Sequence, residues 1–276
     1  MRQIQPQVSA FVLHSRAFQE NSLIIQLFSL ELGRFSVVAK GIKSKRSQAR
    51  RALLQPFNEV LIDCVGKKEL KTLTHCQLVI SPERPLSVGL QGKALACGFY
   101  ANELILRALP EYQENEALFH AYRRLVDTLA GQTNSLASDS SGSGAPNPAP
   151  ILRDFEMSLL TAMGISPDCQ YDLLQTPIVP DGLYRMLPQQ GFERVDAKID
   201  DIQETSVGEP VQKYVTTNEF DQCFSGRAIL SLANGNYQPQ DAKASQGITA
   251  LLLREVIGDK PLQSRKLWQH MSLNET

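Results

Sequence analysis

Between Lys40 and Arg51 the chain places six cationic side chains, Lys40, Lys43, Lys45, Arg46, Arg50 and Arg51, within twelve residues that include no acid. A run of like charge repels itself and stays solvated until an anion compensates it, so what it offers is a grip on phosphates, on a membrane surface or on an acidic protein. Charge alone does not choose among these. Nothing else in the chain is spaced for catalysis. The four histidines, His14, His75, His120 and His270, are scattered with no i,i+4 pair, and a general base needs an oriented partner that this spacing does not supply. There is no G-x-x-x-x-G-K-[ST], no G-x-G-x-x-G opening a helix and no G-x-S-x-G, the arrangements that nucleotide hydrolysis, dinucleotide use and serine-hydrolase chemistry call for. Glu219 and Asp221, two residues apart, read as solvated charges near a helix start. The chain reads as a binding protein and not as an enzyme.

The totals narrow the setting. The 276 residues carry a formal net charge of −1, yet twelve Lys or Arg face five Asp or Glu through residue 80, and sixteen face twenty-four beyond it. That split suggests a polyanion-binding module joined to an acidic body that meets other partners. Five cysteines, Cys64, Cys76, Cys97, Cys169 and Cys223, are odd in number and contain no C-x-x-C pair, which speaks against a disulfide framework and a thiolate zinc site. The first residues, Met1-Arg2-Gln3-Ile4-Gln5-Pro6, hold no apolar signal region, and no run reaches the roughly 18 apolar residues of a membrane span. A reducing cytoplasm is the expected location.

The elements that must position the basic run are short strands. Residues 7–14 and 22–30 are rich in β-branched and aromatic residues with partial alternation. Gly33 supplies the backbone freedom of a tight hairpin, and a third strand over 34–39 delivers the chain into the cationic stretch. Two more, 57–64 and 69–79, are joined by Val65-Gly66-Lys67-Lys68. Five short strands in this span fit a small sandwich or, preferably, a barrel of the oligonucleotide-binding (OB) type, which closes its edges with few residues. Helical spacing then covers 92–109, stopped by Pro110, and 114–130. Residues 131–150, small and proline-rich, read as a flexible loop. A helix over 151–163 ends at Gly164. Residues 165–215 look irregular, with short strands near 183–187 and 191–195. Helices follow near Thr217 and over 248–257, with a short final helix within 258–268. The expected fold class is α+β: a five-stranded OB barrel over 1–80, then a mainly helical domain over 81–276 with a small irregular module inserted at 165–215.

Several words of the sequence carry a resemblance. Ala10-Phe11-Val12-Leu13-His14-Ser15-Arg16, Glu20-Asn21-Ser22-Leu23, Gly33-Arg34, Val38-Ala39-Lys40-Gly41, Leu54-Gln55-Pro56-Phe57 and Glu69-Leu70-Lys71-Thr72-Leu73 resemble, in order and spacing, the bacterial DNA repair protein family RecO. Asn102-Glu103-Leu104, Leu152-Arg153-Asp154-Phe155-Glu156 and Lys260-Pro261-Leu262-Gln263-Ser264-Arg265 extend the match over nearly the whole chain. The resemblance implies an N-terminal OB barrel, a helical body and the module at 165–215. It implies a recombination mediator of the RecF pathway that binds single- and double-stranded DNA, anneals complementary strands and, with RecR, helps RecA replace single-strand DNA-binding protein (SSB). A cytoplasmic, nucleoid-associated protein without cofactor or membrane partner is implied as well. Many members carry four zinc-binding cysteines in the inserted module. Here Asp172 stands where a C-x-x-C partner of Cys169 would be, and 191–195 supplies no second pair. Metal is therefore not expected, and something else must hold this degenerate zinc-finger-like segment together.

On this basis the DNA-binding residues are Lys40, Lys43, Lys45, Arg46, Arg50 and Arg51, flanked by Arg16 and Arg34. If about six of them neutralise phosphates, affinity should fall by roughly three orders of magnitude between 50 and 200 mM salt. Of Phe11, Phe18, Phe28, Phe35 and Phe57, most should fill a core. Phe18, in an apparent loop after Arg16, is the best candidate to stack a base. The family's helical body receives the acidic C-terminal tail of SSB, and Arg153, then Arg107, are the guanidinium candidates; the other reading of Arg153 is an ion pair with a nearby acid. An RNA-binding OB protein of translation or RNA processing is the alternative function, since a basic barrel does not declare which sugar it meets. A scaffold whose basic loop holds an acidic protein is a third.

Overall fold

The computed structural model describes residues 7–42, 47–66, 70–80, 89–138, 147–195, 223–265 and 267, with the backbone alone over 132–138. Its first five strands, β1 (Val8–Phe18), β2 (Ser22–Ser29), β3 (Gly33–Ala39), β4 (Glu59–Val65) and β5 (Lys71–Leu78), close a barrel in the order β1-β2-β3-β5-β4. A six-residue helix, α1 (Gln48–Leu53), lies between β3 and β4. β3 and β5 run parallel and the other neighbours antiparallel, the expected OB arrangement. Alternation along the strands sends Val12, Ile25, Leu27, Phe35, Val37, Val60 and Ile62 into the interior. Ile42 and Leu54, before and after α1, join the same core. β1 is longer than the sequence suggested. Phe18 pairs with Ser22 across a tight turn, so it belongs to a strand, where sequence alone had placed it in a loop.

The helical elements that follow are α2 (Gly92–Ala108), α3 (Glu116–Ser138) and α4 (Ala149–Ala162). α3 continues to Ser138 through residues that had read as the start of a loop; 139–146 lie outside the described residues. α2 and α3 pack on the outside of the barrel, and α4 packs on these two helices. The rings of Phe11 and Phe28 meet Phe119 of α3, each at 5.6 Å, and Tyr122 at 5.1 and 6.1 Å. A bulge at Leu13 breaks the β1–β2 register and frees its carbonyl, which accepts from Asn102 Nδ2 at 2.8 Å. The Tyr122 hydroxyl donates to Asn102 Oδ1 at 2.5 Å, so the polar side chain buried in α2 has partners on both sides. Glu59 of β4 accepts from Ser9 at 2.9 Å and from Arg123 of α3. Contacts therefore group residues 1–163 with 259–276 as one compact unit and 164–258 as a second. The sequence suggests a barrel over 1–80 and a helical domain from 81; the contact grouping joins the barrel to the helices after it, because aromatic side chains on the barrel's exterior pack against α3.

The second unit holds a three-stranded sheet, β7 (Gly191–Arg194), β6 (Leu183–Leu187) and β8 (Cys223–Ser225), in the order β7-β6-β8, followed by α5 (Gly226–Asn234) and α6 (Ala242–Ile257). Tyr184, Met186, Phe192 and Phe224 are buried on one face of the sheet. The Ser225 hydroxyl caps α5 by accepting from Ala228 N at 3.3 Å. The helix expected near Thr217 lies outside the described residues.

Candidate nucleic-acid interface

Cross-strand pairing sorts the outward side chains of β1, β2 and β3 into rows, because residues directly opposite share a face. From one end to the other these are Phe18 with Ser22, Arg16 with Ile24 and Val38, His14 with Gln26 and Ser36, and Phe11 with Phe28 and Arg34. This face is the usual ligand surface of an OB barrel. Its lower half is occupied by the chain itself. Phe11 and Phe28 are fully buried. Arg34 Nε donates to the Leu109 carbonyl at 2.8 Å, and its guanidinium pairs with Glu111 at 3.2 Å. Ser36 donates to the same carboxylate at 3.0 Å. The connection between α2 and α3 also lines the β3 edge that β5 leaves uncovered: Arg34 bridges to Glu111, and Tyr112 N donates to the Arg34 carbonyl at 2.8 Å. Gly33 makes this approach possible, since a Cβ there would stand 1.9 Å from the Gln113 carbonyl oxygen.

The upper half is different. His14 and Arg16 are exposed, Phe18 is partly exposed, and Lys40, following β3, is exposed. Ile24 and Val38, in the row of Arg16, are buried apolar residues beside them. Beyond Lys40 the basic segment is fixed at both ends: Ile42 N donates to the Asn21 carbonyl at 3.0 Å, and the Ser47 hydroxyl donates to the Gly41 carbonyl at 2.7 Å. Arg51 is exposed on α1. Arg50 is partly committed, its Nη2 donating to the carbonyls of Leu73 and Thr74 at 3.2 Å each, which holds α1 on β5. Lys43, Lys45 and Arg46 lie outside the described residues. The structure thus brings Arg16 and Lys40 to one end of one face and leaves Arg34 at the other end, engaged with the helical body.

The family model for Recombination protein O N terminal matches residues 1–82, and that for Recombination protein O C terminal matches residues 90–190. Among curated proteins, the DNA repair protein RecO of Pseudoalteromonas atlantica is 31% identical over 264 residues, 95% of this chain and 94% of that one. RecO of an Enterobacter species is 34% identical over 262 residues, 94% of this chain and 95% of its own. RecO of Vibrio cholerae is 32% identical over 267 residues, 95% and 93% of the two chains. This chain belongs to the RecO family. That is a family of DNA repair and recombination proteins, and among the described residues no helix is long and apolar enough to cross a membrane.

The two arginines considered for a RecO partner are both engaged. Arg153 is buried in α4 and pairs with Glu156 at 2.6 Å. The Tyr100 hydroxyl donates to the same carboxylate at 2.7 Å; burial first, then the Glu156 charge, pushes that phenol well above its ordinary range. Arg107 donates to the Lys260 carbonyl at 2.7 Å and lies 3.8 Å from Glu103. Glu103 in turn accepts from the backbone N–H groups of Gln263 and Ser264 at 2.9 and 2.8 Å. The distant words Asn102-Glu103 and Lys260-Pro261-Leu262-Gln263-Ser264 are therefore one structural unit. The signal that could have found it is the polar pair Asn102-Glu103 set in a mostly apolar helix.

The described residues of the second unit do not fit the zinc site that the sequence resemblance raised. Asp172 is buried and its Oδ1 accepts from Leu174 N at 2.9 Å and Thr176 N at 2.8 Å. Its own backbone closes the turn with Thr176 and Gln175. A carboxylate thus organises by hydrogen bonds the turn that a metal would otherwise hold. Burial pushes the Cys169 thiol up to about 12. Among the described residues no group of three metal-ligating side chains is present.

Proposed function

We propose that this RecO protein is a recombination mediator that binds single- and double-stranded DNA, anneals complementary strands and, with RecR, helps load RecA on SSB-coated single strands. The observation that carries this reading is a basic segment anchored at one end of a closed OB barrel, in a chain whose family is DNA repair. Annealing needs two phosphate backbones to approach while their bases stay free to pair, so charge neutralisation matters more than base reading. Lys40, Arg51 and Arg16 supply it from described positions, with Lys43, Lys45 and Arg46 between Ile42 and Ser47, and Arg50 dividing its donors between β5 and DNA. Arg34 is spent on Glu111 and contributes least.

SSB-tail binding belongs to the helical body, with Arg107 the stronger candidate because Arg153 is buried against Glu156. Removing the Arg153 guanidinium leaves Glu156 buried without its charge partner, a cost of about 3–5 kcal/mol, so Arg153→Ala reports folding rather than recognition. Arg107→Ala is expected to weaken SSB-tail peptide binding while DNA affinity holds. The central test is annealing of complementary oligonucleotides, with Lys43, Lys45 and Arg46 changed to Glu. Loss of annealing in a folded protein is expected; undiminished annealing removes the basic segment from the mechanism. Equal-sequence RNA and DNA competitors decide the sugar, and strong RNA preference counts against a repair role.

A further inference from the structure

The barrel's ligand face is half covered, and what remains open is small. Along β1 the open rows run from His14 to Phe18, about 13 Å at strand rise. In the His14 row Ser36 is already bound to Glu111, and past that row the Phe28 ring lies under α3 and Arg34 is paired with Glu111. The barrel's other phenylalanines offer no surface on this face. Phe35 is in the interior, Phe11 is against α3, and Phe57 packs on Phe99 of α2 at 5.2 Å. Among them Phe18 is the partly exposed residue on this face. It sits in a paired strand, next to the row that holds Ile24 and Val38, with Arg16 two residues back on the same face and Lys40 just beyond the paired end of β3. The turn after it is tied to the basic segment through Asn21 and Ile42, so ring and cations share a fixed frame.

Resting on the DNA-binding reading above, we propose that this open half-face seats one base, stacked on Phe18 between phosphates held by Arg16 and Lys40. The rest of the strand is held through its backbone alone. A full OB face would hold a row of bases and compete with pairing. The helical body prevents that by covering the lower rows, and one stacked base is enough to set the strand's register while its neighbours remain available to a complement.

The test is a thermodynamic cycle between Phe18→Ala and removal of the bases, using a short single-stranded DNA and the same length of abasic deoxyribose-phosphate chain, measured by fluorescence anisotropy at one salt concentration. Phe18→Ala is expected to weaken binding to the normal strand about tenfold and to leave abasic binding unchanged, and the unsubstituted protein should lose the same factor on going to the abasic strand. Phe18→Tyr, which keeps the ring, should retain wild-type affinity for both. Equal losses from Phe18→Ala on both strands overturn the stacking role. A hundredfold or greater preference of the unsubstituted protein for the normal strand, or a further loss from His14→Ala confined to that strand, shows more than one base held and overturns the single seat. If the unsubstituted protein binds neither strand, the DNA-binding reading itself fails, an outcome distinct from the other three.

Discussion

Arg16 and Arg34 stand on the same outward face of the same three strands, and the molecule uses them in opposite ways. Arg34 donates into the α2–α3 connection and pairs with Glu111; Arg16 is exposed at the other end of the face. The difference arises from where the aromatic residues lie. Phe11 and Phe28 give the lower rows an apolar surface that α3 covers with Phe119 and Tyr122, whereas the upper rows interleave Phe18, Ile24 and Val38 with His14 and Arg16, whose polar groups would lose hydration if covered. A barrel face that is a ligand surface in isolation becomes, in this chain, half docking surface and half binding surface. The sharpest way to break this contrast is to remove the ring at the centre of the covered half. Phe28→Ala should destabilise the first unit by about 3–5 kcal/mol, read as a lower denaturation midpoint. DNA affinity of the protein that remains folded should be unchanged. A large loss of affinity with little loss of stability would mean that the covered half opens to DNA.

The arginine pair gives a finer version. Arg34→Ala removes a charge-assisted bond to Leu109 and the partner of Glu111, and should cost about 1.5–3 kcal/mol of stability without altering the salt dependence of DNA binding. Arg16→Ala should change stability by less than about 0.5 kcal/mol while making the slope of log affinity against log salt shallower by roughly 0.7, the value of one single-strand phosphate contact. Denaturant titration and a salt series on both variants check this together. Matching slopes would show that the two halves do not differ in function.

What was legible in the sequence follows the same division. The five strands were readable because each carries its own period of apolar residues, and the basic run was readable because charge density is local. β1 was cut short because Ser15 and Arg16 look like loop residues; pairing with Ile25 and Ile24 keeps them in a strand. The covering of the lower rows was not readable. Arg34 and Glu111 are 77 residues apart, and nothing local marks an arginine that will be spent on a distant acid. The Arg153–Glu156 pair was within reach, since i,i+3 spacing places the two side chains together on one helix. Asp172 was visible as a departure from a cysteine pattern, but that its carboxylate would hold the turn required the backbone in place.

The smallest effect separates two thiols. Cys97 lies in α2 and is fully buried; burial pushes its thiol up to about 12, against a lowering by Arg153. Cys76 is on β5, partly exposed, and burial raises it to about 11, against a lowering by Arg50. In both, the folded chain keeps a proton that the unfolded chain begins to release near pH 8.5. The unfolded state then binds fewer protons, so stability must fall as pH rises from that point until the folded value is reached. Between pH 8.5 and 9.5 the expected loss is roughly 1 kcal/mol for each such thiol. Cys97→Ala should flatten the fall of the denaturation midpoint over this interval, whatever it costs at neutral pH. Cys76→Ala should flatten it by no more than that, because the two folded values differ only above the interval. A midpoint that holds level from pH 8.5 to 9.5 in the unsubstituted protein would mean that solvent reaches Cys97, and that the α2 side of the barrel is less tightly closed than its packing indicates.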